Sequence, residues 1–153
     1  AVETGQAVAH ETGLVPEVSE LVVELYRPKT LYGNYHRSPQ TFSYLLRWFF
    51  GELGGVGDGP DGESYTALLD RIAGTKAMLA TYPPDARVVV VSHSVFINMF
   101  VAHRNHPGRL RAWRGFWALM RSLMVRNGSI THLTYDPAGT NRWQLKRFGR
   151  RTI

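Results

Sequence analysis

The spacing of apolar side chains changes period several times along the 153 residues, and each change marks an element. Residues 1–12 read as a helix that stops at Gly13, since glycine takes the left-handed conformation that closes many helices. The pattern is helical from the first residue, with no capping side chain ahead of it. Residues 14–25 read as a largely extended stretch, anchored by Val15, Val18, Leu21 and Val23 and leading to Glu24. Turn formers and polar groups between Pro28 and Pro39 predict an irregular loop. Over residues 40–50, Phe42, Leu45, Leu46 and Phe49 recur at three- and four-residue spacing, widened by Tyr44 and Trp48, and predict a short aromatic helix.

Six glycines between Gly51 and Gly62 predict a mobile lid or a linker; apolar patterns on both sides favour a loop within one domain. Ser64 is placed to cap a helix running to Tyr82, with Tyr65, Leu68, Leu69, Ile72 and Leu79 facing inward. Pro83, Pro84 and Asp85 close it. Residues 87–94 follow, reading Arg-Val-Val-Val-Val-Ser-His-Ser. A run of β-branched residues ending in polar ones predicts a strand buried on both faces of a mostly parallel sheet. With a helix predicted over residues 96–102, His93 stands where strand gives way to helix, the edge at which open α/β sheets bind ligands.

Residues 108–125 predict another amphipathic helix, in which Leu110, Trp113, Trp117, Met120 and Met124 form the inward stripe and Arg111, Arg114 and Arg121 lie beside it. Asn127 and Gly128 make a turn into a strand over residues 130–135, and a loop over residues 136–141 leads to a second strand over residues 143–148.

Length and composition narrow the classes. One domain over residues 1–153 is expected, and 44% hydrophobic with 12% aromatic residues excludes disorder as the default. No apolar run approaches the roughly 20 residues that span a bilayer, and no signal-like stretch opens the chain, so a soluble, cytoplasmic protein is expected. The absence of cysteine removes disulfides, thiolate catalysis and Cys-ligated metals together. His10, His103, His106 and His132 offer no compact metal-ligand spacing, and no metal site is expected. A net charge of +6 and a pI near 10 favour anionic partners.

Four segments, in order, carry a resemblance to a known family: residues 1–4 (Ala-Val-Glu-Thr) with the short helix, Gly13 and Leu14; residues 21–24; Gly62, Glu63 and Ser64 opening a long helix; and residues 88–94; residues 127–131 look like a turn and strand late in the same family. Together they resemble the histidine phosphatases, the phosphoglycerate mutase-like superfamily. The resemblance implies a three-layer α/β fold with helices flanking the sheet. It implies a metal-independent phosphomonoester hydrolase that works through a phosphohistidine, needs no cofactor and acts on a phosphorylated small molecule.

In that family one histidine attacks phosphorus, a second stabilises the transferred group, two arginines neutralise its oxygens, and a carboxyl group protonates the leaving oxygen. By resemblance, His93 is the second histidine and Glu24 the acid. Ser94 stands where the family commonly has glycine and keeps its backbone N–H for a phosphate contact. His36 and Arg37, in the loop before Pro39, are candidate substrate contacts. Glu63 is read as structural, a carboxylate at a helix N-terminus.

The family's Arg-His-Gly signature does not occur in the 153 residues. The chain therefore resembles the C-terminal two-thirds of a histidine phosphatase with its N-terminal strand missing, and alone is expected to be inactive. Residues 88–91 are then expected to form an unpaired edge that associates with a second copy or is completed by an upstream segment. The alternative from another class is a non-catalytic basic module for an anionic partner, carried by Arg111, Arg114, Arg121, Lys146, Arg147, Arg150 and Arg151. Trp113 and Trp117 are expected in the core with the arginines as their wet margin, which argues against nucleic acid; no membrane partner is expected.

Overall fold

The structure, a computed structural model, describes residues 1–33, 38–50, 62–106 and 108–150. Five helices carry most of it: α1 (Val2–Thr12), α2 (Pro39–Phe49), α3 (Tyr65–Leu79), α4 (Ser94–His103) and α5 (Ala112–Ser122). They are followed by β1 (Ile130–Tyr135) and β2 (Trp143–Arg150), which pair antiparallel as a hairpin. Among the described residues this hairpin is the whole of the sheet. No helix among them is long and apolar enough to cross a membrane.

Local signals account for the helix ends. Gly13 closes α1 at φ 70°. Ser38 and Ser64 cap α2 and α3 by accepting from the Thr41 and Ala67 amides, three residues on, as N-cap hydroxyls do. The core gathers Leu45, Trp48 and Phe49 of α2, Tyr65, Leu68 and Ile72 of α3, and Phe96, Met99 and Phe100 of α4. Trp143 of β2 joins it edge-on to Phe100, with ring centroids 5.6 Å apart, and so seats the hairpin against α4. Both the backbone N–H and C=O of Trp143 bond the Asn105 side chain, at 3.0 and 2.8 Å.

Three expectations are corrected. The valine run is extended but pairs with no strand among the described residues, and Val89 is 62% exposed, with Val88 and Val90 also open. β-branched residues favour extended backbone, but burial of a strand depends on neighbours on both edges and faces, and none is described beside it. Val15 and Val18 are not anchors. Both are exposed, and the segment contains a short 3₁₀ turn over Glu20–Val22 before Leu25 enters the core.

The third correction concerns α5. Trp113 and Trp117 are each 58% exposed, whereas Gly115, Ala118, Leu119 and Ser122 are the buried face. Gly115 decides the orientation: a Cβ there would lie 1.8 Å from a ring carbon of Phe49. A residue without a side chain lets α5 close on α2 at this point. The face bearing Gly115, Ala118 and Leu119 therefore turns inward and the two indoles outward, while Leu110 and Met120 of the expected stripe stay buried and half-buried. Phe42 of α2, expected inward, is likewise 40% exposed and meets Phe116 edge-on at 6.3 Å.

Candidate active site

The first turn of α4 gathers the chemistry. His93 is its N-cap residue, with extended backbone and no capping bond from its own side chain. The cap comes instead from Glu24, 69 residues earlier. One carboxylate oxygen accepts from the Phe96 amide at 3.1 Å and the Leu25 amide at 2.9 Å, and the other from the Val95 amide at 3.4 Å. Helix N-termini leave such amides without partners and attract anions. Glu24 and His93 are thus both placed at the N-terminal end of α4. Ser94 is the first helical residue, partly exposed, and its carbonyl accepts from the Asn98 amide group at 2.8 Å.

Glu24 lies on a segment that joins no β ladder among the described residues, and side chains hold its backbone. The Ser92 hydroxyl donates to the Val22 carbonyl at 2.5 Å, and the Thr75 hydroxyl to that of Leu21 at 3.1 Å. Arg71 does the rest. Its guanidinium donates to the Val23 carbonyl at 2.9 Å and reaches those of Leu21 and Glu24 at 3.4 and 3.5 Å. It is fixed in turn by a two-pronged ion pair with Glu63, both bonds 2.7 Å, in which the carboxylate side chain is 3% exposed. Arg71 also lies over the rings of Tyr26 and Phe96, at 5.5 and 5.1 Å from their centroids. The Phe96 contact ties it to the same turn of α4 that Glu24 caps.

Glu63 is structural, as expected, but through Arg71 more than through a helix dipole. Gly62 brings it there. At φ 71°, a Cβ on Gly62 would stand 2.7 Å from the Tyr26 carbonyl, which accepts from the Glu63 amide at 2.8 Å. Arg71 escaped the sequence reading. The available signal is an arginine among the inward positions of α3, one residue before Ile72 and three after Leu68, where an unpaired charge is not tolerated. His36 and Arg37 lie outside the described residues, as does the glycine-rich stretch over residues 51–61.

A second histidine, His103, belongs to the core. It is buried at the end of α4, its Nε2 2.8 Å from the Tyr65 hydroxyl. Burial first, and the Lys76 ammonium second, push its pKa down to about 4. It is a neutral structural group at neutral pH. Lys76, whose pKa burial also lowers, donates to the His103 carbonyl at 2.6 Å. Two surface depressions, of about 460 Å³ beside Pro39, Ser43 and Arg47 and about 350 Å³ beside Arg104, His106 and Gln144, are not lined by His93 or Glu24. Among the described residues no three of His, Asp and Glu converge as metal ligands.

The arrangement therefore offers an exposed imidazole, a helix N-terminus and a carboxylate held against it, the kinds of group that bind and protonate a phosphate ester. Neither the curated proteins nor the solved structures yielded a match to the chain. A family model of the histidine phosphatase superfamily (branch 1) matches residues 1–150, nearly the whole sequence. With the ordered segments from Glu3 to Thr131 and the site at the start of α4, the chain belongs to the histidine phosphatase superfamily.

Proposed function

We propose that this chain carries the proton-donor and phosphate-stabilising half of a phosphomonoester hydrolase. The Arg-His-Gly signature that carries the nucleophilic histidine in that family does not occur among the 153 residues, and with His93 in the stabilising role we propose that the chain by itself is inactive. The supporting observation is the placement of Glu24 on the Val95 and Phe96 amides, directly after His93. In the reaction, the attacking histidine nitrogen takes the phosphoryl group as the ester P–O bond breaks. Glu24 gives its proton to the departing alkoxide, and His93 donates to the phosphoryl oxygens. Water, giving a proton back to Glu24, then attacks phosphorus and breaks the P–N bond, releasing orthophosphate and regenerating histidine. Ser94 contributes its amide to the phosphate, and His36 and Arg37 meet the rest of the ester.

The test separates proton donation from capping. Glu24→Gln keeps an acceptor for the α4 amides but has no proton to give. In the complete protein it should slow alkyl phosphate hydrolysis by about 10²–10⁴-fold and aryl phosphate hydrolysis far less, because a phenolate leaves without help. Equal losses on both esters would assign Glu24 to capping alone.

A further inference from the structure

Among the described residues, no element covers the indoles on the outward face of α5. Trp113 and Trp117 stand one turn apart on α5 and Met124 lies in the turn that follows it, the indoles 58% and the methionine 67% exposed. Arg114 and Arg121, seven residues apart, border them, and both are exposed. The Arg121 guanidinium lies 5.2 Å from the ring centroid of Phe148 on β2, which brings exposed Lys146 of the same strand alongside. The charge is one-sided over a longer range too. From Arg87 to the C-terminus there are twelve arginines and lysines against a single carboxylate, Asp136, whereas residues 1–86 carry net negative charge. Contiguous exposed aromatic surface on a soluble face marks an interaction site.

We infer that this face docks on an anionic lipid bilayer, with Trp113, Trp117 and Met124 entering the headgroup boundary and Arg114 and Arg121 meeting lipid phosphates. An amphipathic helix lying in the interface takes this form, with indoles inward to the lipid and arginines beside them. Two features decide against other occupants. The Arg114 guanidinium lies 5.4 Å from the centroid of the Trp113 ring and takes one of its two faces from a stacked base. A second copy docked face to face through α5 would set arginine against arginine, since no acidic residue lies anywhere in residues 104–135 to answer them.

The experiment is sedimentation of the full chain with vesicles of phosphatidylcholine, with and without phosphatidylserine, alongside its tryptophan emission. Trp48 and Trp143 are buried, so a blue shift reports on Trp113 and Trp117. Binding should require phosphatidylserine, weaken with salt, and shift the emission. Arg114→Gln with Arg121→Gln should lower partitioning about fivefold for each charge removed. Trp113→Ala with Trp117→Ala should lower it by about tenfold or more. Both pairs are exposed, so an unchanged thermal melt verifies that the variants fold. Three results overturn the inference: no binding to phosphatidylserine vesicles, equal binding by the tryptophan variant, or a doubled solution mass that accounts for the emission shift. Displacement of the vesicles by single-stranded oligonucleotide through the same indoles would reassign the face to nucleic acid.

Discussion

Removing one member of the Glu63–Arg71 pair should cost far more than removing both in the right way. Glu63→Gln leaves the guanidinium, whose side chain is 13% exposed, without its counter-charge. Breaking a buried pair from one side costs about 3–5 kcal/mol because the remaining charge has lost its solvent and its partner. At about 2–4 °C per kcal/mol for a chain of this size, the lower end is a fall in Tm of roughly 6–12 °C. Arg71→Met leaves the Glu63 carboxylate stranded and also takes the donor from the Val23 carbonyl, so it should be worse, about 4–5 kcal/mol. The double variant strands no charge. Its loss should shrink to about 2 kcal/mol, the cost of unsatisfied carbonyls on residues 21–24. Urea unfolding followed by tryptophan fluorescence measures all three. Single losses below about 1 kcal/mol, or a double loss equal to the sum of the singles, would refute the pair as the anchor of the Glu24 segment.

Two further outcomes follow from other buried groups. His103 binds a proton near 6.5 when unfolded but only near 4 when folded, so the unfolded state holds more protons between those values and stability falls on acidification through them. At about 1.4 kcal/mol per pKa unit the loss is roughly 3 kcal/mol, and His103→Gln, which still offers Tyr65 a partner, should flatten the stability profile over that range; an unchanged slope would place the titration elsewhere. Gly115→Ala gains helix propensity of about 1 kcal/mol but drives a methyl into the buried Phe49 ring. A net loss of about 1–3 kcal/mol is expected in the same urea assay, and a stabilised variant would contradict the close contact of α5 with α2.

What could be read from the sequence divides along a physical line. Elements whose ends are marked locally were legible: Gly13 closing α1, Ser64 capping α3, His93 preceding α4, and the hairpin after Asn127 and Gly128. The bonds of Glu24 to the first turn of α4 could not be read from spacing, since they join positions 71 and 72 residues apart. The valine run was misread because its composition reports a preference for extended backbone, while pairing and burial depend on whatever lies beside it. In α5, the period shows two faces without showing which is buried. The larger side chains suggested one answer, and the fit of Gly115 against Phe49 gave the other. The partners of Arg71 could not be read, standing 8 residues away at Glu63 and 48 away at Val23; only its inward position on α3 signals it.

The capping of α4 by a residue from elsewhere in the chain also alters which parts of the molecule open together. Amides in the first turn of a helix normally exchange hydrogen with solvent fast, having no acceptor. Here the Val95 and Phe96 amides are bonded to Glu24, whose own backbone is secured through Arg71 and Thr75 to α3. Fraying of this helix end therefore requires the Glu24 segment to leave, and that departure breaks bonds to a third element. Segment, helix end and α3 form one cooperative opening unit, in which the exchange protection of two ordinary helix amides reports whether the carboxylate is in place.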